Sequence, residues 1–385
     1  MNKSILILDA EGTQTLSIVR SLYKNGYKIY GFFHSKLSYG YHTRYIHQKI
    51  LIQYKSPEAY LSFVQQFLSD KKIDIIIPMS DNSAQFLSKN KGLLSQYSNF
   101  IVPDYDVFKK GYDKNELMKV CAQHNFPHPR TIDLKECKGL IDDKSIFPAL
   151  IKPNYTTGGR GMMLVNNLDE FNKSYPNIRK HYGSCHLQEF IVSGGKQIKV
   201  QLFLDNDSNL LFHSVIFKQR YYPDNGGSSC CNITIEDKKL VDLCYQILKE
   251  IKWIGFADFD SIEDPKDGVM KIMEINPRIP ACIKSAIKSG IDYGLIIADY
   301  SLGYTPKEYK YIPGKKLRHL GFDFLWFLHS PNRFKTKPNW FKFFEKNLYF
   351  QDFSWDDPLP FIFGTIGNIK KQFSSEFRKS KSGLQ

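Results

Sequence analysis

The sequence contains no uncharged apolar run that approaches the roughly 20 residues needed for a membrane-spanning helix. The apolar stretch from Ile5 to Leu8 ends at Asp9, so it is shorter than the apolar region of a secretory signal peptide. The seven cysteines show no C-x-x-C spacing, and neither a zinc site nor a disulfide framework is expected. These absences predict a cytoplasmic protein with reduced thiols.

Acidic residues are in deficit. The chain has 53 Lys and Arg residues against 39 Asp and Glu, a net charge of +14. Such a balance usually indicates an anionic partner, which can be nucleic acid, a membrane surface or a phosphorylated ligand. Residues 306–385 alone carry 15 basic and 7 acidic residues, with 19 of the 56 aromatic residues. No recognised nucleic-acid-binding module accompanies the charge, so we expect no nucleic-acid partner.

Strands and helices alternate in the first part of the chain. Apolar patterns predict strands at residues 5–8 and 73–78 and helices at 15–23 and 57–69, an order typical of a parallel sheet flanked by helices. Between residues 149 and 276 the pattern changes to short strands and hairpins. The chain of 385 residues is therefore expected to be an α/β protein, an α+β composite of two or three domains.

A loop rich in glycine follows a strand that ends at Lys152. The loop holds two threonines, three glycines and Arg160, and another strand follows it. It is not a P-loop, because the G-x-x-x-x-G-K-[ST] pattern is absent and no helix follows. Glycines nevertheless let backbone N–H groups approach an anion closely. On spacing alone, a plain hairpin turn and a phosphate cover are equally compatible with the pattern.

Carboxylate and amide side chains cluster on two later strands. Asp258 and Asp260 are two residues apart and so share one strand face, as do Glu274 and Asn276. The link between these strands is rich in turn formers, which predicts a hairpin. Oxygen ligands of this kind suit Mg²⁺ bound together with nucleotide phosphates. The alternative is a solvated polar face, but several crowded acidic groups need a cation.

With these two blocks in this order, and with Asp113 and Lys114 opening a helix upstream, the chain resembles the ATP-grasp superfamily. Biotin carboxylase, carbamoyl phosphate synthase and D-alanine–D-alanine ligase are members of it. The resemblance covers roughly residues 1–305. It implies a Rossmann-like pre-ATP-grasp domain at 1–105, followed by a two-lobed ATP-grasp domain at 106–305 with a lid subdomain at about 135–185. Residues 306–385 remain as a basic, aromatic C-terminal segment.

The resemblance also implies roles for individual residues. Those that would bind ATP are Lys114, Lys152, Thr157, Gly158, Gly159, Gly161, Gln188, Glu189 and Ile191. Those that would hold two Mg²⁺ ions, which Mn²⁺ could replace, are Asp258, Glu274 and Asn276. Asp260 could substitute for Asp258, which is shorter than the glutamate of many relatives. Lys196 stands where many relatives have an acidic residue for the ribose hydroxyls. Arg278 would stabilise the reacting phosphoryl group.

Residues 217–229 resemble the carbamoyl-phosphate-synthase-like branch, which includes D-aspartate ligases and is often associated with bacterial surface-polysaccharide or peptidoglycan genes. By this resemblance, Lys218 and Arg220 would be catalytic residues that share one strand face, aimed at phosphate and the substrate carboxylate. A basic, solvent-facing strand is the alternative interpretation.

The function implied is an ATP- and Mg-dependent ligase that activates a carboxylate as an acylphosphate for attack by an amine, with ADP formed. The carboxylate and amine would be small molecules or polymer-linked groups. The sequence leaves the oligomeric state open, and a homodimer is one arrangement that the resemblance allows, since relatives with this fold are often dimers. A non-catalytic nucleotide-binding or regulatory protein is one alternative.

The other alternative is a protein whose function depends on its C-terminal segment. An interfacial helix within residues 333–353, docking on an anionic membrane, a glycan or a partner protein, is suited by the phenylalanines and lysines of this stretch: Phe341, Phe343 and Phe344 beside Lys337, Lys342 and Lys346. Such docking would make the protein peripheral to the inner membrane surface. Alternatively, the segment packs back on the core and helps to shape the acceptor pocket.

Overall fold

A computed structural model of the protein describes residues 3–135, 141–156, 159–222 and 227–373. The amino-terminal part forms a four-stranded parallel sheet. Its strands are β1 (Ser4–Leu8), β2 (Lys28–Phe33), β3 (Gln48–Leu51) and β4 (Ile75–Pro78), and its helices are α1 (Thr13–Lys24), α2 (Pro57–Lys71), α3 (Asp81–Lys89) and α4 (Lys91–Leu94). The strand order is β3-β2-β1-β4. All five residues of β1 are buried, because both faces of the sheet are covered. Successive side chains point to opposite faces, so Ile5 and Ile7 lie in one core and Leu6 and Leu8 in another.

Two helices lead from this sheet to a smaller one. They are α5 (Tyr105–Tyr112) and α6 (Lys114–Gln123). The small sheet consists of β5 (Thr131–Asp133), β6 (Ala149–Pro153), β7 (Met163–Val165) and β8 (Cys185–Glu189), and α7 (Leu168–Tyr182) packs on it. Its strand order is β5-β8-β6-β7 and its pairs are antiparallel. Apolar side chains of β6 and β8 pack with those of α7, including Ile151, Leu187 and Phe171, into a core of their own.

The central sheet supplies the framework between the other units. Its first strands are β9 (Gln197–Leu204), β10 (Leu210–Tyr222), β11 (Ser228–Ile235), β12 (Gly255–Glu263) and β13 (Met270–Asn276), and the helices of this part are α8 (Lys238–Glu250), α9 (Ile283–Lys288) and α10 (Tyr293–Ser301). One face packs against α5, α6 and α8 through a core that includes Val200, Phe259 and Trp253. The opposite face carries polar side chains on adjacent strands, and it is there that the charged residues of the site collect.

The C-terminal segment is part of the central sheet rather than a separate appendage. Its elements are β14 (Lys316–Arg318), α11 (Leu320–His329), β15 (Leu348–Phe350) and α12 (Leu359–Phe373). The full strand order is β13-β12-β9-β10-β11-β14-β15, so two strands of the segment extend one edge. The segment also reaches the amino-terminal unit, where Tyr45 donates to Asp356 at 2.6 Å and Gln351 donates to Thr13 at 3.0 Å. The alternative in which the segment packs back on the core therefore describes the structure.

The prediction of an interfacial helix within residues 333–353 is wrong. That stretch holds turns and the short strand β15. Three of its backbone carbonyls accept hydrogen bonds from buried arginines. Arg220 donates to Pro338 O at 2.8 Å, and Arg318 donates to Trp340 O and Lys342 O at 3.0 and 3.2 Å. These hydrogen bonds tie the backbone of the stretch to β10 and β14 along a non-helical path. Across the described ranges, no helix has both the length and the apolar character needed to cross a bilayer.

Candidate active site

Lys114 is positioned by the cap of its own helix. The Asp113 carboxylate accepts from the backbone N–H groups of Asn115 and Glu116, which starts α6 at Lys114. The Lys114 ammonium then donates to the carbonyl of Thr156 at 2.7 Å and lies 3.3 Å from Glu274 Oε2. Lys114 therefore joins the helix, the glycine-rich loop and the edge strand β13 of the central sheet.

Lys152 lies in the small sheet with its side chain enclosed. Its ammonium donates to Gln188 Oε1 at 2.9 Å, and both side chains are buried. Burial lowers the pKa of Lys152 to about 8, since Glu274 and Asp260 only partly offset the loss of water and Lys114 lowers it further. These electrostatic effects place Lys152 near the carboxylates of the central sheet. The two lysines predicted to reach nucleotide phosphates thus face the same space.

The glycine-rich loop connects β6 to β7. Thr157 and Gly158, two of its predicted nucleotide contacts, lie outside the described residues. Gly159 and Gly161 have φ angles of +73° and +70°, a region that L-residues other than glycine rarely adopt. A Cβ at Gly161 would also lie 2.7 Å from the ring of Tyr182. The loop conformation therefore requires glycine at this position.

The predicted hinge is at the end of β8. Glu189 Oε1 is 3.1 Å from the ammonium of Lys271, which also contacts Asp264 at 2.6 Å. Gln188 points into the small sheet toward Lys152, and Ile191 is half-buried just beyond the strand. Lys196 lies 3.3 Å from Glu263. Contacts of this hinge with adenine stay a prediction. At the position where many relatives have an acidic residue, this chain has Lys196, and the nearby carboxylate is that of Glu263.

The four oxygen-bearing residues predicted on the hairpin share one face. The register of β12 and β13 pairs Asp258 with Asn276 and Asp260 with Glu274, and paired residues point to the same side. The amide of Asn276 donates to Asp260 Oδ2 at 3.1 Å. Glu274 is the most open of the three acids, with 29% of its side chain exposed. Lys114 and Lys152 outweigh the opposing effect of burial and lower the pKa of the Glu274 carboxyl.

Lys199 is a central member of the site that the sequence reasoning missed. Its ammonium is 2.8 Å from Asp258 Oδ2 and 2.5 Å from Asp260 Oδ2, and Lys218 reaches Asp260 Oδ1 at 2.8 Å. Burial raises the pKa of Asp258, whereas Lys199 and Lys218 overcome burial and hold the pKa of Asp260 well below its ordinary value. One signal was present in the sequence, because Lys199 and Gln201 alternate with apolar residues along a buried strand.

Arg220 does not share a face with Lys218, which corrects the expectation for this pair. The register shifts between them, so that Lys218 pairs with Asn232 and Arg220 pairs with the adjacent Cys231. Because neighbours on a strand point to opposite faces, Arg220 is turned away from the carboxylates. Its guanidinium is buried against Asp323, with Nε 2.8 Å from Oδ1. Arg220 therefore binds the C-terminal segment, and we no longer include it among the candidate catalytic residues.

Arg278 follows β13 directly and bridges two units. Its Nε is 3.3 Å from Asp81 Oδ1, at the start of α3 in the amino-terminal unit. The structure therefore holds the guanidinium between the first sheet and the central sheet, where the charges of Asp81, Asp258 and Glu274 outweigh burial and raise the pKa of Arg278. A role toward a phosphoryl group stays a prediction.

The donor chemistry fits a Mg²⁺ ion bound together with a nucleotide. Asp260, Glu274 and Asn276 present oxygen atoms on one face, and Glu274 is open enough to meet an ion. Within the described ranges, no three acidic, histidine or cysteine side chains are grouped closely enough to hold an ion alone. Nucleotide phosphate oxygens would therefore have to complete the coordination of an ion here.

Comparison with known proteins identifies the domain that carries this site. Residues 113–302 match the family model described as the ATP-binding domain of the carbamoyl-phosphate synthase L chain. The chain is 26% identical over 244 residues to a D-aspartate ligase of Enterococcus faecium, covering 57% of each protein. It is 26% identical over 264 residues to the carbamoyl phosphate synthase large chain of Myxococcus xanthus, covering 63% of this chain and 24% of that one. The chain thus spans only part of the length of these relatives.

Solved structures show the same fold. The biotin carboxylase domain of 2-oxoglutarate carboxylase from Hydrogenobacter thermophilus superposes with a TM-score of 0.68 at 18% identity, covering 82% of this chain and 73% of that one. An L-amino acid ligase from Bacillus licheniformis superposes with a TM-score of 0.61 at 16% identity, covering 78% of this chain and 74% of that one. These likenesses confirm the fold that the sequence resemblance implied.

Proposed function

Because residues 113–302 form an ATP-grasp domain of the carbamoyl-phosphate-synthase type, we propose that the protein is an ADP-forming carboxylate–amine ligase. The observation that carries the proposal is the position of Lys114, which lies 3.3 Å from Glu274 and donates to Thr156 O in the glycine-rich loop at 2.7 Å, so that a lysine, the loop and the carboxylate face meet. Cations that face carboxylates across a glycine-rich loop suit a triphosphate with its metal ion.

The reaction transfers the γ-phosphoryl group of ATP to a carboxylate oxygen, which gives ADP and an acylphosphate. An amine then attacks the acyl carbon, forms the amide bond and displaces phosphate. Lys114 and Lys152 would neutralise phosphate oxygens, and Arg278 would neutralise the transferring group. A bound Mg²⁺ would supply further charge neutralisation at Glu274 and Asn276. The small sheet would close over the reactants and exclude water, which would otherwise hydrolyse the acylphosphate.

The D-aspartate ligase relative supports D-aspartate and other amino acids as the first substrates to examine. A peptidoglycan or surface-polysaccharide amine is the acceptor that the resemblance of residues 217–229 implies. The test is Mg-dependent release of ADP and phosphate from ATP with D-aspartate, other amino acids and small carboxylates, alone and in pairs. ADP that forms only with a particular pair would establish the ligase and identify its substrates. If ADP forms with a carboxylate alone and amide appears only with a peptidoglycan precursor, the acceptor is polymer-linked. No ADP release with any combination would contradict the proposal.

A variant pair makes this test specific to the site. Glu274→Gln removes a charge that faces Lys114, and we expect at least about 100-fold slower ADP release. Glu250→Gln is the matched control, because Glu250 lies at the exposed end of α8. Equal activity of the two variants would contradict the assigned role of Glu274.

We further propose that the C-terminal segment docks the protein on an anionic membrane. Phe334, Phe341 and Phe344 form an aromatic–basic surface with Lys342 and Lys346. The three phenylalanines are 69%, 58% and 100% exposed, respectively. Residues 333–346 include five basic residues and one acidic residue. Protruding aromatic rings surrounded by lysines suit the boundary between lipid headgroups and acyl chains.

Truncation cannot test this surface, because it would remove β14 and β15 from the central sheet. Binding to vesicles of phosphatidylcholine with anionic phosphatidylglycerol is expected to be salt-sensitive and absent with phosphatidylcholine alone. Phe341→Ser and Lys342→Glu should each weaken it, and Lys239→Glu, at an exposed position of α8, should not. Binding to an anionic polysaccharide without vesicle binding would replace the membrane with a glycan, and binding to neither would overturn the proposal.

A further inference from the structure

Lys199 occupies the space between the two aspartates of β12. The register of β9 and β12 places Lys199 directly opposite Asp260, with Gln201 opposite Asp258. The position of the ammonium is therefore set by the pairing of the two strands and does not depend on a flexible side chain extending from a distant part of the fold. Only 10% of the Lys199 side chain is exposed, and Asp258 is completely buried.

The hydrogen bonds of Asp258 leave it little capacity for a metal ion. Its Oδ1 accepts from Gln201 at 2.7 Å, and its Oδ2 meets Lys199 at 2.8 Å and Asn276 at 3.4 Å. Lys199 also contacts Asp260, whose second oxygen meets Lys218. Two carboxylates are thus balanced by two ammonium groups without any metal. Glu274 is the more exposed carboxylate on the same face.

We propose that Lys199 is a built-in cation that replaces one of the two Mg²⁺ ions implied by the family resemblance, so that the site takes a single divalent ion with ATP. This inference depends on the proposed nucleotide site. A second divalent ion beside Asp258 would lie next to the fixed Lys199 ammonium, and like charges repel strongly where water is excluded. The single ion is held on the Glu274 side. Asp258 then serves to position Lys199 and is not a ligand.

The test counts bound ions and does not depend on turnover. Mn²⁺ is titrated into the full-length protein with a saturating non-hydrolysable ATP analogue, and free Mn²⁺ is followed by electron paramagnetic resonance. We expect one tightly bound Mn²⁺ per chain for the native protein. Two equivalent tight sites would overturn the inference. Binding of the analogue is measured separately, and its absence would instead contradict the proposed function.

Substitutions test whether Lys199 causes this count. Lys199→Met removes the cation at similar volume, and we expect the count to rise from one to two because Asp258 and Asp260 become free to hold an ion. Lys239→Met is the matched control, an exposed lysine on α8 away from the predicted nucleotide site, and should keep a count of one. A count of one for both variants would show that Lys199 does not replace an ion.

Asp258→Asn keeps the inference falsifiable if Lys199→Met fails to fold. We expect Asp258→Asn to keep one tight Mn²⁺ site, whereas Glu274→Gln should weaken that site by at least about tenfold. Loss of tight binding in Asp258→Asn would make Asp258 a ligand and overturn the inference.

Discussion

The buried cluster formed by Arg220, Arg318 and Asp323 predicts a large stability cost for a single substitution. The Asp323 carboxylate accepts from Arg220 Nε and Nη2 at 2.8 and 3.1 Å and from Arg318 Nε at 2.7 Å, and it also contacts Arg318 Nη2. All three residues are at most 2% exposed. Asp323→Asn would leave two guanidinium groups in the interior with one neutral acceptor between them.

Removal of one partner from a buried charge cluster typically costs about 3–5 kcal/mol, because the remaining charges stay uncompensated. We expect a loss of this size in the free energy of unfolding. That is a large fraction of the roughly 5–15 kcal/mol that stabilises most folded proteins. The effect should be concentrated in the C-terminal segment, since the same arginines hold the carbonyls of Pro338 and Trp340.

Urea unfolding followed by circular dichroism measures the loss, and tryptophan fluorescence reports on Trp326 and Trp340 beside the cluster. Asp106→Asn is the control. Its carboxylate is 89% exposed and pairs with Lys109 on the surface, so its removal should leave the unfolding midpoint within experimental error. An Asp323→Asn protein as stable as this control would refute the reasoning, because it would mean that the arginines do not depend on Asp323 for compensation.

Four further outcomes are expected from the described contacts. The affinity for an ATP analogue should fall as the pH rises through about 8, because Lys152 loses its proton there. Lys152→Arg should remove this pH dependence. Equal pH profiles of the variant and the native protein would contradict the role of Lys152. Gly161→Ala should raise the KM for ATP more than Gly183→Ala, since both have positive φ but only Gly161 is crowded by a ring; equal effects would contradict the packing argument. Burial raises the pKa of Cys121 and Cys282 to about 12, so iodoacetamide at pH 8 should leave both unmodified in the folded protein when peptides are analysed by mass spectrometry. Because the unfolded thiols ionise near their ordinary pKa of 9, the free energy of unfolding should decrease as the pH rises above about 9, and a flat profile would contradict the shifts.

Local sequence patterns predicted the amino-terminal unit well. The apolar run from Ile5 to Leu8 is β1, and the pattern at residues 73–78 contains β4. These predictions succeed because strands of a parallel sheet are buried on both faces and are therefore continuously apolar. The same period-two reasoning placed Asp258 and Asp260 on one face, and the register with Glu274 and Asn276 confirms that the hairpin collects all four.

The period-two rule failed where a strand is irregular. Lys218 and Arg220 are two residues apart, yet a register shift in β10 turns them to opposite faces. A shift of this kind depends on how β11 pairs with β10, which local spacing does not show. The stretch from 333 to 353 failed for a related reason. Its mixture of phenylalanine and lysine suits a helix, but arginines from two other strands hold its backbone in turns.

The sequence by itself determined which chemical groups the site contains and the order in which they come, because lysines, carboxylates and glycines at short spacing are local properties of the chain. Only the tertiary structure decided which groups from distant strands meet. Lys199 and Asp260 are about 60 residues apart and face each other because β9 pairs with β12. Pairing between distant strands is selected by the burial of the whole sheet, so the sequence shows a lysine on a buried strand, but only the folded protein places its ammonium between the two aspartates.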